Sequence, residues 1–170
     1  MERTGKYSLK GTPLTLVGPE LKAGDAAPEF TAFAGLGKAF DSRELKGKVR
    51  FFNVVPSVDT GICDAQTKRF SEEANKLAGV DWITISCDTP MALNRWCSAG
   101  QITNLRMLSD FRDHDFGVKY GVYVKEQGLL ARSLFVVGKD DKIAYVQLVA
   151  EMASHPDYDT ALAALKRLLA

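Results

Sequence analysis

The sequence lacks long apolar runs, a net charge of either sign and a secretory signal. No segment approaches the roughly 20 consecutive apolar residues that cross a bilayer, so no membrane contact is expected. The 22 basic and 21 acidic residues give a formal net charge of +1, which argues against nucleic acid as a partner. The N-terminal MERTGKYSLKG is charged and has no apolar core, so a cytoplasmic protein is expected.

Cysteine and histidine are also scarce. Three cysteines, Cys63, Cys87 and Cys97, are an odd number in a chain of this size, which argues against a secreted disulfide scaffold. No Cys-x-x-Cys pair occurs, and His114 and His155 stand at no zinc-finger spacing. We therefore expect neither a metal site nor a cofactor. A papain-like Cys–His enzyme stays open, although nothing in the sequence favours it.

What is present is enough apolar sequence for one core. The apolar share is 46% of 170 residues, which predicts a single domain over residues 1–170. Two β-rich runs, 49–55 and 81–87, alternate with helical patterns at 61–77 and 91–99. This succession is typical of a βαβ unit with a parallel strand pair.

The remaining segments complete an α/β pattern. Runs 131–137 and 143–149 flank a turn and predict a β-hairpin, and 157–170 is an amphipathic helix. Residues 1–18 form a second predicted hairpin, an extension that decorates the core, whereas 121–128 is predicted to be a loop. The sequence thus predicts a mixed central sheet flanked by helices, an architecture that resembles the thioredoxin-like fold.

Cys63 occupies the most reactive position in this pattern. It follows a strand, a turn marked by Pro56, and Thr60 at a helix start, where free N–H groups and the helix dipole favour thiolate over thiol. The Thr60 hydroxyl could hydrogen-bond the sulfur or its target. Asp59 and Asp64 oppose the negative charge, so a cation is expected from elsewhere in the chain. For an isolated cysteine, a small buried hydrophobe is the alternative.

These residues carry a resemblance to a known family. Pro56, Thr60 and Cys63 match the Pro-x-x-x-Thr-x-x-Cys motif of peroxiredoxins. The longer string NVVPSVDTGIC and the RWC that ends at Cys97 resemble the thiol peroxidase subfamily. The similarity continues through LLARSLFVV, which contains Arg132, and PDYDTALAAL in the last helix.

The resemblance implies a role for each matching residue. Cys63 would be the peroxidatic nucleophile that attacks a peroxide and becomes a sulfenic acid. Thr60 and Arg132 would donate hydrogen bonds to the reacting atoms, and Pro56 would shield the thiolate from water. Cys97 would be the resolving cysteine of the atypical two-cysteine class, which forms an intramolecular disulfide with Cys63.

The resemblance also implies substrates and partners. They are hydrogen peroxide and alkyl hydroperoxides, thioredoxin or a similar dithiol reductant, and a second copy of the chain in a homodimer. Cys87 matches no catalytic position and is predicted to be a core residue. Two other functions stay open at this point: a peroxide sensor or thiol-oxidation relay, and a noncatalytic thioredoxin-fold binding module whose cysteines are structural.

Overall fold

A computed structural model describes all residues from Met1 to Ala170 and contains eleven strands, four α-helices and one 3-10 helix. The strands are β1 (Glu2–Leu9), β2 (Thr12–Val17), β3 (Thr31–Gly35), β4 (Lys38–Asp41), β5 (Val49–Val54), β6 (Val80–Ser86), β7 (Arg106–Ser109), β8 (Tyr123–Val124), β9 (Leu129–Leu130), β10 (Ser133–Val137) and β11 (Ile143–Leu148). The helices are α1 (Gly61–Ala74), α2 (Pro90–Gly100), α3 (Asp115–Lys119) and α4 (Tyr158–Leu169), and the 3-10 helix spans Ser42–Leu45.

The centre of the molecule is a seven-stranded mixed sheet. Its strand order is β11-β10-β5-β6-β7-β3-β4, in which β5, β6 and β7 are parallel and the other pairs are antiparallel. Every residue of β5 is buried, as its aromatic and β-branched sequence predicts for a central strand. Helix α1 connects β5 to β6, and α2 connects β6 to β7. The predicted mixed sheet flanked by helices is confirmed. None of the helices is both long and apolar enough to cross a membrane.

The N-terminal hairpin belongs to the core. Strands β1 and β2 pair as predicted, but with β8 and β9 they form a second, four-stranded sheet. Tyr7, Leu14 and Leu16 are buried in the main hydrophobic cluster, so the expectation of a merely decorating ribbon is wrong. The loop predicted for 121–128 contains β8, whose two residues are too short a run for a period to be visible.

A close backbone approach near this second sheet predicts a stability difference between two glycines. Gly121 has φ +66°, and a Cβ atom there would lie 1.7 Å from the Pro19 carbonyl oxygen. Gly128 has a similar φ of +64°, but its nearest atom, the Tyr123 hydroxyl oxygen, is 3.9 Å from a Cβ. We expect Gly128→Ala to lower the free energy of unfolding by about 1–2 kcal/mol, the strain of a left-handed non-glycine residue. Gly121→Ala should lower it by about 3 kcal/mol or more, because a backbone overlap adds to that strain.

Urea denaturation of the two variants and the wild type measures this difference. If both variants lost the same free energy of unfolding, the left-handed backbone strain would account for the whole effect. The predicted overlap of a Cβ atom at position 121 with the Pro19 carbonyl would then be wrong.

Candidate active site

Cys63 lies in the first turn of α1, beyond the carboxyl end of the central strand β5. Its exposed fraction is 0%, and it packs in a small cluster with Val55, Val58 and Leu93. Its backbone N–H donates to the Thr60 side-chain oxygen at 3.4 Å, which starts the helix. The predicted placement of the cysteine at a helix N-terminus is therefore what the structure shows, and the thiol is shielded from bulk water.

Thr60 is the N-cap residue of α1, and Pro56 is buried in the turn before it. The Thr60 hydroxyl accepts from Cys63 N–H and donates to the Ser57 carbonyl at 3.3 Å. It makes no hydrogen bond to the Cys63 sulfur. Both of its contacts are long for a hydroxyl, so little energy opposes a rotation of the Thr60 side chain towards a substrate.

The turn before the helix is held by Asp88, which follows β6. Its carboxylate accepts from Ser57 Oγ at 2.6 Å, from the Val58 backbone N–H at 2.8 Å and from Ser86 Oγ at 2.7 Å. The neighbouring residue, Thr89, is the N-cap of α2, and its side chain accepts from the Ala92 backbone N–H. The role of Asp88 was missed, although the carboxyl ends of neighbouring parallel strands meet at one edge of a sheet.

Arg132 is the buried cation of this region. It directly precedes β10, and only 2% of its surface is exposed. Its Nε and Nη2 donate to the Met152 carbonyl at 3.1 and 2.9 Å, and its Nη1 donates to Gln66 Oε1 at 2.8 Å. No carboxylate lies within salt-bridge distance of it, so all its acceptors are neutral. A buried guanidinium is normally stabilised by an anion. No acidic side chain of this protein pairs with Arg132.

Gln66 connects the arginine to the cysteine helix. It lies three residues after Cys63, so both project from the same face of α1. Gln66 Nε2 donates to Asn53 Oδ1 at 2.6 Å, and Asn53 Nδ2 donates to the hydroxyls of Thr67 and Thr84, each at 3.0 Å. Sequence reasoning missed this network. Its signal was the polar residue Asn53 between apolar neighbours in β5 and a second polar residue on the buried face of α1.

Tyr7 brings the N-terminal hairpin into the site. Its hydroxyl oxygen accepts the Arg132 backbone N–H at 3.2 Å. Burial raises the pKa of Tyr7 to about 12, an effect that the charge of Arg132 opposes and that of Cys63 reinforces. Burial also raises the pKa of Tyr158. As for Tyr7, the charge of Arg132 lowers this pKa and that of Cys63 raises it. Arg132 and Cys63 therefore share one electrostatic neighbourhood, and the two phenols within it stay protonated at neutral pH.

Cys97 lies on a different helix, α2, and all three cysteines are free thiols. It lines a groove with Leu93 and Met107, and the same two residues pack in the cluster around Cys63. Burial raises the pKa of the Cys97 thiol, which keeps it protonated and weakly nucleophilic in this conformation. The two cysteines thus share Leu93 and Met107 as neighbours and are not joined by a disulfide.

Comparison with known proteins identifies the family of this site. A model of the Redoxin family matches residues 22–162. The chain belongs to the redoxin family. The thiol peroxidase of Bacillus subtilis is 48% identical to this redoxin over 164 residues, which cover 96% of the chain and 98% of the relative. That of Halalkalibacterium halodurans is 48% identical over 162 residues, 95% of the chain and 98% of the relative. The prediction of a peroxiredoxin enzyme is thereby confirmed.

Solved structures agree. The redoxin aligns with a peroxiredoxin-like protein from Aquifex aeolicus at a TM-score of 0.89 and 40% identity, over 98% of this chain and 99% of the other. A thiol peroxidase from Chromobacterium violaceum gives a TM-score of 0.82 at 19% identity over 95% of both chains, a likeness of fold alone. The thioredoxin-like fold predicted from the sequence is confirmed.

Proposed function

We propose that this redoxin reduces hydrogen peroxide and alkyl hydroperoxides at Cys63 and restores that cysteine through a disulfide with Cys97. The observation that carries the proposal is the buried Arg132 guanidinium, whose hydrogen-bond acceptors are all neutral. Because Arg132 is hydrogen-bonded through Gln66 to the helix that carries Cys63 in its first turn, a thiolate at Cys63 can serve as the missing anion.

In the first step, the Cys63 thiolate attacks one oxygen of the peroxide along the O–O axis. A sulfur–oxygen bond forms as the oxygen–oxygen bond breaks, and the leaving oxygen takes a proton and departs as water or an alcohol. The sulfur contributes two electrons to the new bond, so Cys63 is oxidised to a sulfenic acid and the peroxide is reduced.

Three further residues support this step. Arg132 stabilises the negative charge as it passes from sulfur to the leaving oxygen. Thr60 turns its hydroxyl from the Ser57 carbonyl to the peroxide, a movement that its long hydrogen bonds permit. Pro56, buried in the turn, offers no N–H donor and keeps water from the thiolate.

In the second step, the Cys97 thiol attacks the sulfenic sulfur, and the disulfide forms with loss of one water. The two α-carbons must come within about 7 Å of each other for this bond. Such an approach requires the first turn of α1 and part of α2 to unwind. The contacts that must open include the hydrogen bond from Trp96 Nε1 to Asp64 Oδ1, 2.9 Å long, and the packing of Leu93 against Cys63.

The cycle closes when thioredoxin or a similar dithiol protein reduces the disulfide by thiol–disulfide exchange. The expected homodimer is proposed on the same family resemblance. A peroxide sensor or relay would use the same sulfenic acid but would turn over slowly with thioredoxin alone. Steady-state turnover with thioredoxin therefore separates the two functions.

Mass spectrometry after one equivalent of peroxide tests the proposed disulfide. We expect the reduced chain to lose two hydrogens and to yield a cross-linked peptide pair that contains Cys63 and Cys97. A Cys63–Cys87 cross-link, or a stable sulfur acid at Cys63 in the wild type, would contradict the assignment of Cys97 as the resolving cysteine.

Hydrogen exchange tests the proposed unwinding. Amide exchange in residues 61–64 and 91–99 should be faster in the disulfide form than in the reduced form, because the helical hydrogen bonds there have opened. The terminal helix α4 serves as an internal reference and should exchange equally in both forms. Equal rates over all three segments would count against local unwinding.

A further inference from the structure

Three side chains of types that commonly ligate metals meet at the carboxyl edge of the central sheet, and none of them takes part in the proposed peroxide chemistry. Cys87 directly follows β6, Asp110 directly follows β7, and His114 precedes α3. Their potential ligand atoms all lie within 4.8 Å of one another. The sequence led us to expect no metal site, because the three residues come from separate segments at no recognisable spacing. Adjacent parallel strands bring them together.

The separation of the sulfur and the imidazole nitrogen suits zinc. Cys87 Sγ lies 3.6 Å from His114 Nδ1. In a tetrahedral site with Zn–S of about 2.3 Å and Zn–N of about 2.0–2.1 Å, these two ligand atoms are about 3.6 Å apart. The Asp110 carboxylate oxygen must move about 1 Å closer to the sulfur and the imidazole nitrogen to complete such a site. Cys87 and His114 are only partly buried, so small rotations of their side chains can supply that movement and an ion can enter from solvent.

The fold already orients two of the three ligands. The Asp110 oxygens accept backbone N–H groups from Phe116 at 3.1 Å and Gly117 at 2.8 Å, which fixes the carboxylate plane. The His114 ring stacks on Tyr123 with a centroid distance of 4.6 Å. Outer contacts of this kind hold metal ligands in place in known metal sites.

The charges around the cluster favour a cation. The carboxylates of Asp88, Asp113 and Asp115 lie close enough to act electrostatically on Cys87 or Asp110. Their negative charge attracts a divalent ion to this position.

The basic side chains of the same segment do not neutralise the cluster. Arg112 pairs with Asp113 at 2.8 Å, and Lys119 pairs with Asp115 at 3.0 Å, both at the surface. Neither donates to the Asp110 carboxylate or to the Cys87 sulfur.

We propose that Cys87, Asp110 and His114 bind one Zn²⁺ ion, with water as the fourth ligand. Thiolate and imidazole ligands favour zinc over magnesium or calcium, which prefer all-oxygen sites. The ion replaces the proton of the Cys87 thiol and that of the Asp110 carboxyl, and both protons pass to solvent. Cys87 packs against the main hydrophobic cluster, as the sequence predicts, and in this proposal its sulfur is also a metal ligand.

Cobalt substitution tests the site in a full-length Cys63→Ser/Cys97→Ser protein, where Cys87 is the one remaining thiol. Titration with Co²⁺ should produce a thiolate-to-cobalt charge-transfer band and the strong visible bands of four-coordinate cobalt, saturating at one ion per chain. One equivalent of Zn²⁺ should remove them. The absence of a charge-transfer band, or a band that needs two ions per chain, would overturn the proposal.

Ligand variants of the same protein locate the ion. Cys87→Ser should abolish the charge-transfer band. His114→Asn should weaken Zn²⁺ binding by more than about 100-fold, since loss of an outer-shell partner alone costs about 10–100-fold. Asparagine suits this position because His114 has φ +52°, a left-handed conformation that asparagine tolerates. His155→Asn, at the other histidine of the chain, is the matched control and should leave the affinity unchanged.

Two results would overturn the assignment. One is unchanged affinity in His114→Asn, which would show that the thiol and imidazole form only a hydrogen bond. The other is equal weakening in both histidine variants. Native mass spectrometry of the reduced wild type and of Cys87→Ser, each with one equivalent of Zn²⁺, gives an independent reading: retention of the ion by both proteins would also overturn it.

Discussion

A Cys63→Ser variant is expected to consume no peroxide above the uncatalysed rate. The serine hydroxyl remains protonated at neutral pH and is a poor nucleophile without an adjacent base, whereas the thiolate is both charged and polarizable. The substitution exchanges one buried side chain for another of nearly the same size, in a site where the exposed fraction of Cys63 is 0%. Peroxide disappearance in the presence of thioredoxin, its reductase and NADPH measures the loss.

Cys97→Ser is the matched control for this prediction. It should still consume one peroxide per chain and form a sulfenic acid that a dimedone-type reagent traps at Cys63. Sustained turnover with thioredoxin should then stop, because no disulfide forms within the chain. Continued turnover in Cys63→Ser would refute the assignment of the nucleophile. Failure of Cys97→Ser to complete the first turnover would refute the separation of the two roles.

Arg132→Met is expected to slow sulfenic acid formation by about 10²–10³-fold, the loss typical of removing one electrostatic donor from a reacting centre. The substitution removes the buried cation of the cysteine region and leaves Gln66 Oε1 and the Met152 carbonyl without their donor. Arg132→Lys keeps the charge but replaces the planar fork of guanidinium donors with a single ammonium group, so its rate should fall between those of the wild type and Arg132→Met. Single-turnover measurement of sulfenic acid formation in a Cys97→Ser background isolates this step.

The control for a purely structural effect is the other buried arginine. Arg50 is 4% exposed, donates to the Leu45 carbonyl at 2.7 Å and pairs with Asp141 at 2.8 Å. Arg50→Met should therefore lower the free energy of unfolding and leave the rate of sulfenic acid formation unchanged. If both arginine variants slow the reaction equally, the effect belongs to the stability of the fold and Arg132 has no special role in the chemistry.

Local patterns account for most of what was predictable. The all-buried strand β5 and the Thr60 cap lie where sequence features place them, and α2 starts at Pro90, one residue before the predicted helical pattern. Each of these depends on neighbours within one or two helical turns or on a strand period of two residues. The position of Cys63 at a helix N-terminus follows from the same local rules.

The partners of these elements were less predictable. The N-terminal hairpin shows its alternation clearly, yet nothing in that alternation indicates that Tyr7 would be buried against Arg132. The two-residue strand β8 was missed because its pairing with β2, far away in the chain, creates it. A two-residue strand is defined by hydrogen bonds to its neighbouring strand and is too short to show an alternating apolar and polar pattern in the sequence.

The sequence by itself determined the strand and helix order of the central βαβ unit, the place of Cys63 at the end of the central strand, and the family resemblance that indicates its chemistry. Only the tertiary structure decided which distant polar groups share a site: Arg132 with Gln66, and Cys87 with Asp110 and His114. The physical reason is that periodicity and capping are encoded within a few residues. Contacts between side chains are set by how the sheet and helices pack, and any one of several buried polar residues would satisfy the same local pattern.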